Sequence, residues 1–203
     1  MTENMFENYA LILIILFYLI GSIPFAVVIS KIFSLPDPRS FGSNNPGATN
    51  VMRSGNKIAG FLTFFFDLIK GFLPIFILNI YGAVNSMLCL LALAIIMGHI
   101  LSIFLKFKGG KGVAASFGTI LGIDFMTGIS VVIVWLVVFM ISKVSGLSAI
   151  ISFLLFPFVV YIMKLDDFIL IFSFMNTLII LFSHKKNIVD LSLIHISEPT
   201  RPY

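Results

Sequence analysis

Continuous apolar runs, set between short breaks marked by charge, glycine or proline, dominate this chain. They are Tyr9 to Phe33, Ile58 to Ile80, Ser86 to Leu105, Val113 to Ile123, Met126 to Ile141, Leu147 to Met163 and Phe168 to Phe182. A bilayer core about 30 Å thick takes roughly 20 helical residues at about 1.5 Å each. Most of the runs approach that length, so the chain is expected to fold in lipid as a polytopic bundle. A transmembrane barrel needs alternating segments of about 10 residues, whereas Leu11 to Ile20 and Val131 to Ile141 are apolar without alternation. Composition agrees: 59% of the 203 residues are apolar or aromatic and 11% are charged. An ordinary soluble domain carries about 25% charged residues, so disorder and a soluble enzyme are both excluded. The expected fold is all-α, one membrane domain over residues 1–189.

Val113 to Ile123 is too short to cross alone as a straight helix, so it joins the fifth run, re-enters the bilayer, or sits where the bilayer is thinned. Run lengths therefore allow five to seven spans, and the positive-inside rule decides among them. With seven spans and the N-terminus outside, the inside breaks hold Lys31, Arg39, Arg53 and Lys57, then Lys106, Lys108 and Lys111, then Lys143, then Lys185 and Lys186. The outside breaks hold Glu3 and Glu7, an uncharged Asn79 to Asn85, Asp124, and Lys164 with Asp166 and Asp167. Merging the fourth and fifth runs would put Lys143, Lys185 and Lys186 outside. Seven spans with a cytoplasmic C-terminus is the consistent reading. The net charge of +4 then reports topology and implies no nucleic-acid partner. The leader Met1 to Asn8 has two glutamates and no basic residue, the reverse of a signal peptide, so the first span is expected to stay in the mature protein. Cys89, the single cysteine, lies in an apolar run and supports neither a disulfide framework nor a thiolate metal site. No internal repeat relates the breaks, which gives no support to a transporter built of duplicated halves.

The chemistry gathers in the breaks read as cytoplasmic. Phe41-Gly-Ser-Asn-Asn-Pro-Gly-Ala-Thr-Asn-Val-Met-Arg53 joins small residues, hydroxyls and amides to an arginine. Glycines admit close backbone approach, exposed N–H groups suit an anion, and Arg53 can clamp phosphate with two parallel hydrogen bonds. Lys106-Phe-Lys-Gly-Gly-Lys-Gly112 is a glycine-rich basic segment without the spacing of a nucleotide P-loop, since Val113 follows Gly112. Asp67 and Lys70 share a helical face within the second span; an intrahelical structural pair and a functional pair both account for them. His99 has no metal-ligand companions, and no metal is assigned. His184 and Asn187 follow the last span at i, i+3, and face one pocket if the helix continues. A soluble-type acyltransferase is excluded, because five residues after the three histidines stand Phe104, Val189 and Thr200 rather than aspartate. No G-x-S-x-G elbow occurs either.

Five motifs in order, Gly21-Ser-Ile-Pro-Phe25, Gly42 to Arg53, Asp67-Leu-Ile-Lys-Gly71, Gly98-His99 and Lys106 to Val113, resemble the bacterial acyl-phosphate:glycerol-3-phosphate acyltransferase family over about Gly21 to Asn187. The resemblance implies a seven-span inner-membrane enzyme with its active site facing the cytoplasm. Such an enzyme transfers a fatty acyl group from acyl phosphate to the 1-position of sn-glycerol 3-phosphate, releasing lysophosphatidic acid and phosphate for phospholipid synthesis. The family uses no cofactor, no metal and neither acyl-CoA nor acyl carrier protein as direct donor. Carried over motif by motif, Ser43, Arg53, Lys111 and His184 are the expected catalytic set. Asn45, Thr49, Asn50, Lys108, Gly109, Gly110 and Asn187 are expected to bind substrate, with Asp67, Lys70 and His99 in support. Arg53 and Lys111 would bind phosphate, with Gly109 and Gly110 letting backbone N–H groups approach it. Ser43 would donate a hydrogen bond, and His184 and Asn187 would orient glycerol 3-phosphate.

Two departures stand out. Asn44 occupies a place where many relatives carry glycine. The tail from Asp190 to Tyr203 lacks the basic ending that the resemblance implies; it reads as foreign or out-of-frame sequence, and His195, Glu198 and Arg201 receive no role. The competing reading is a transporter or flippase for phosphorylated metabolites. That reading expects polar features on both faces, whereas the outside breaks here are short and plain.

Overall fold

The computed structural model describes residues 9–189, which are helical and turn throughout with no β-strand among them. The acidic leader and the atypical tail lie outside the described residues. Among the described residues the chain forms, in order, α1 (Ala10–Ser22), α2 (Phe25–Ile32), α3 (Ala48–Met52), α4 (Lys57–Ile80), α5 (Asn85–Ile100), a 3-10 turn (Ile103–Leu105), α6 (Val113–Ile123), α7 (Phe125–Ser142), α8 (Ser145–Ile162) and α9 (Asp167–Ser183), followed by a helical turn over 185–189. Among the described residues five stretches are long and apolar enough to cross a membrane: Ala10–Ile32, Lys57–Ile80, Asn85–Leu105, Phe125–Ser142 and Ser145–Ile162. Val113–Ile123 and Asp167–Ser183 are shorter apolar helices.

Two of the expected runs are interrupted. The first breaks between α1 and α2 at Ile23 and Pro24, because proline has no N–H to continue the ladder. The third ends its α-helix at Ile100. There the Ser102 hydroxyl donates to Ser22 O at 2.6 Å and the Tyr18 hydroxyl donates to Leu101 O at 2.6 Å, so side chains satisfy carbonyls that the ladder leaves open.

The fourth and fifth runs do not merge. Asp124 sits between them in extended geometry and caps α7 by accepting from Thr127 N at 2.7 Å. On the other side, the Asn79 amide of α4 donates to Gly122 O and Ile123 O at 3.0 and 2.8 Å, closing the C-terminal end of α6. At eleven residues α6 is short, yet eight of its residues are buried, so other helices rather than lipid surround it.

Apolar side chains gain little by leaving lipid for a protein interior, so close van der Waals packing must hold such helices together. The contact between α4 and α6 uses Gly71 and Gly118: a Cβ on Gly71 would press on the Ala115 backbone, and one on Gly118 would lie 2.8 Å from Phe72 N. Large side chains fill what remains. Phe117 of α6 stacks on Phe153 of α8 at 5.5 Å, and Phe156 meets Phe153 and Phe172 edge-on at 6.3 and 6.0 Å. All four rings are fully buried. The outer surface is apolar as well; Ile141 is 80% exposed and Phe182 73%.

Candidate active site

At one end of the bundle the segment from Ile100 to Val113 doubles back. Lys106 and Phe107 take left-handed backbone angles, φ +52° and +61°, which turns the chain sharply onto the end of α5. Gly109 N then donates to Ile100 O at 2.9 Å and Gly110 N to His99 O at 3.0 Å. A Cβ on Gly110 would land on the His99 ring at Nε2, so any larger residue there must displace the ring. This corrects one expectation: the N–H groups of Gly109 and Gly110 are spent on the carbonyls that end α5, not offered to phosphate. The glycines serve close packing, and they deliver Lys111.

Lys111 is held at both ends, by the last residue of α9 and by the turn that follows it. Its carbonyl accepts from the Ser183 hydroxyl at 2.9 Å, and its ammonium donates to Asn187 Oδ1. Residues 185–189 are again helical, with Ile188 N donating to His184 O at 3.0 Å. His184 and Asn187 nevertheless face differently. Asn187 meets Lys111, while His184 is turned inward and buried, with Nδ1 2.9 Å from Ile180 O. A carbonyl only accepts, so Nδ1 carries the proton and Nε2 of the neutral ring is left as an acceptor. Burial pushes the imidazole down to about 4, and the Lys111 charge adds to the effect.

The segment 41–53 is braced from within. Gly42 and Asn44 take φ +59° and +56°; Asn44 fills a left-handed position that asparagine tolerates better than most side chains. Asn50 is the strut. Its Oδ1 accepts from Ser43 N at 3.0 Å, and its Nδ2 donates to Pro38 O and Phe41 O at 2.6 and 3.1 Å. The expectation that Asn50 lines the pocket is thereby corrected: buried and committed to its own loop, it shapes the site without facing it. Arg53 is exposed at the end of α3, its Cδ lying 3.3 Å from where a Cβ on Gly42 would stand. Arg39 is engaged elsewhere, in a two-pronged pair with Asp37 at 3.0 and 2.6 Å that holds the Asp37 carboxyl below its usual range.

Between these two segments lies a cavity of about 760 Å³ whose lining is part polar and part apolar. Ser43, Asn45, Lys108, Gly109, Gly110 and Lys111 form its polar part, and Met97, Ile100, Leu101, Phe107, Leu178 and Phe182 its apolar part. Thr49, Asn50, Arg53, His184 and Asn187 are not part of this lining. Thr49 and Asn187 instead converge on the start of α8: Thr49 Oγ1 is 3.2 Å from Ser145 Oγ, and a Cβ on Gly146 would come 2.5 Å from Asn187 Nδ2. Sequence reasoning passed over Ser145 and Gly146; a small, hydroxyl-bearing pair directly after a basic break was the available signal. Deeper in the bundle, Asp67, Lys70 and His99 meet, with Lys70 Nζ at 2.6 Å and His99 Nδ1 at 3.5 Å from Asp67 Oδ1. Among the described residues no three His, Cys, Asp or Glu side chains group as metal ligands.

An integral membrane protein, helical over its described residues, whose cavity is lined by lysines, hydroxyl and amide groups together with apolar side chains defines a class: proteins that handle an amphiphile with an anionic head. The model of the glycerol-3-phosphate acyltransferase family matches residues 11–193, and the chain belongs to that family. Glycerol-3-phosphate acyltransferase of Nitrosomonas eutropha is 42% identical over 184 residues, covering 89% of this chain and 92% of the relative. The Nitrosomonas europaea enzyme is 44% identical over 185 residues, with the same coverage. Among solved structures, the glycerol 3-phosphate form of PlsY (YgiH), an integral membrane glycerol 3-phosphate acyltransferase, superposes with a TM-score of 0.86 at 34% identity, covering 91% of this chain and 92% of that one. Its lysophosphatidic acid form gives 0.84 at 33% identity. The chain is a membrane enzyme that acylates glycerol 3-phosphate.

Proposed function

We propose that the acyl donor is acyl phosphate, that the 1-hydroxyl of sn-glycerol 3-phosphate is the acceptor, and that the products are lysophosphatidic acid and phosphate. The observation that carries this reading is the cavity itself, cationic at Lys108 and Lys111 and apolar between α5 and α9. Two phosphate-bearing substrates and one acyl chain need that pairing of surfaces. Because acyl phosphate is already activated, positioning and charge stabilisation suffice without a covalent enzyme intermediate. The hydroxyl oxygen attacks the acyl carbon, the new C–O bond forms, and the bond from the acyl carbon to the phosphate oxygen breaks. The hydroxyl proton passes to phosphate.

In this reading Lys111 and Arg53 bind phosphate, Ser43 and Asn45 donate hydrogen bonds to it, and Lys108 draws anions in. Thr49 and Asn187 bound the glycerol 3-phosphate side. His184 offers Nε2 as an acceptor that orients the glycerol hydroxyls, as its inward-held, neutral ring supports. The apolar part takes the acyl chain, and its exposed flank, including Leu178 at 67%, opens it toward lipid. The proposed topology has seven spans, counting the shorter α6 and α9, with the N-terminus outside. The basic breaks support a site facing the cytoplasm of a bacterial inner membrane.

The test is phosphate release from palmitoyl phosphate by purified protein in detergent without added metal. Release that depends on glycerol 3-phosphate, with lysophosphatidate formed and with Arg53→Ala and Lys111→Ala defective, is the expected result. A folded protein that turns over palmitoyl-CoA and ignores palmitoyl phosphate overturns the donor assignment.

A further inference from the structure

The buried triad behind the site is not explained by substrate chemistry. Asp67, Lys70 and His99 are 2%, 6% and 8% exposed, inside helices that pack in lipid. Burying two opposite charges costs about as much as their attraction returns, and an apolar pair of similar volume would serve packing equally well. The geometry shows what the charges hold in place. Lys70 Nζ has three partners: Asp67 Oδ1 at 2.6 Å, Ile23 O at 2.8 Å at the α1–α2 break, and the face of the Phe25 ring at 5.5 Å. The ammonium is thus fixed between α4 and the first span. Asp67 turns the same oxygen toward His99 Nδ1, 3.5 Å away, and the His99 ring packs so close to Gly110 that a Cβ there would meet it. Lys111 is the next residue.

We propose that Asp67 and Lys70 are positioning residues for acyl transfer: by fixing the His99 ring they set the height of the Gly109–Gly110 segment and hence the placement of Lys111. The proposal rests on Lys111 as a phosphate ligand. The segment is not part of a helix, and its backbone hydrogen bonds run to His99 O and Ile100 O, so the end of α5 determines where it lies. A ring free to rotate at His99 would let Gly110 sink or lift while leaving the helices in register.

The test is the double variant Asp67→Asn, Lys70→Met, which removes both charges together and leaves no unpaired ion. The expected result is a folded protein whose kcat falls about 10- to 100-fold, the scale of a small misplacement at a reacting centre. KM for glycerol 3-phosphate should stay within about twofold of wild type on the same reasoning. Amide hydrogen exchange should rise in residues 106–112 and stay unchanged in α4 and α5. Wild-type kcat, or unchanged exchange in 106–112, overturns the proposal. If the double variant does not fold, His99→Asn with the ion pair intact decides by the same two readouts. Full activity in Lys111→Ala would overturn the role of Lys111 instead, and leaves the exchange result to judge the triad by itself.

Discussion

The two segments that face each other across the cavity are built in opposite ways. Residues 108–111 are set by the bundle: α5 carbonyls take the glycine N–H groups, the His99 ring lies against Gly110, and Ser183 at the end of α9 and Asn187 beyond it hold the two ends of Lys111. Residues 41–53 are shaped mainly from within, through one buried amide, Asn50, that ties Pro38, Phe41 and Ser43 together, while Val51 seats the segment against α2 and α4. A site assembled from one rigid wall and one self-braced loop has a fixed charge on one side and an adaptable one on the other. Damage to the wall should therefore appear mainly in kcat, and damage to the loop mainly in KM.

The strongest test of that contrast is Lys111→Ala, expected to lower kcat/KM for acyl transfer about 10²- to 10³-fold, the usual loss when one charge-stabilising donor is removed. Steady-state rates with both substrates check it. Gly110→Ala comes next. Its methyl meets the His99 ring, so the wall must shift, and kcat is expected to fall about 10²-fold with little change in KM. A dominant KM effect there would erase the distinction between wall and loop. In the loop, Asn50→Ala leaves Pro38 O, Phe41 O and Ser43 N without their partner, each worth about 1–3 kcal/mol if it stays buried and unpaired. A rise of about tenfold in KM for glycerol 3-phosphate is expected, about 1.4 kcal/mol, with kcat largely kept.

Two smaller effects sharpen the picture. Burial lowers the His184 pKa from 6.5 to about 4, so between those values the unfolded chain takes a proton that the folded one refuses. The neutral ring's contribution is complete above about 6.5 and is lost as pH falls toward 4. Wild type should therefore lose a few degrees of thermal midpoint more than His184→Asn between pH 7.5 and pH 5. Equal losses would mean that the ring protonates normally. Smallest of all is Arg39→Ala: its exposed pair with Asp37 is worth about 0–1 kcal/mol, and turnover should be unchanged within error. A defect as large as that of Arg53→Ala would show that the loop depends on its outer brace as much as on Asn50.

Fold class and helix positions were legible because each rests on a local pattern. Apolar runs mark helices, and Asp124 marks a stop whichever way the chain later packs. What could not be read was direction. Gly109 and Gly110 look the same in sequence whether their N–H groups point at phosphate or at the end of α5, and only the helix packing decides. Asn50 likewise had the composition of a ligand, while two of its partners, Ser43 and Phe41, lie within its own segment and the third, Pro38, just before it. Ser145 and Gly146 stood in an unremarkable break until Thr49 and Asn187, 96 and 41 residues distant in sequence, arrived beside them. His184 and Asn187 were placed on one face by helical spacing, but the turn at His184 parts them.

The shortness of α6 has a mechanical consequence. Long helices in contact with lipid tilt or stretch their surroundings to match a thicker or thinner bilayer. With eight of its eleven residues covered by neighbours, α6 experiences that mismatch only at second hand. Lys111, joined to α6 through Gly112, is thus tied on one side to a helix that lipid hardly touches and on the other to the lipid-facing α9, so a change in bilayer thickness reaches it through α9 alone of the two.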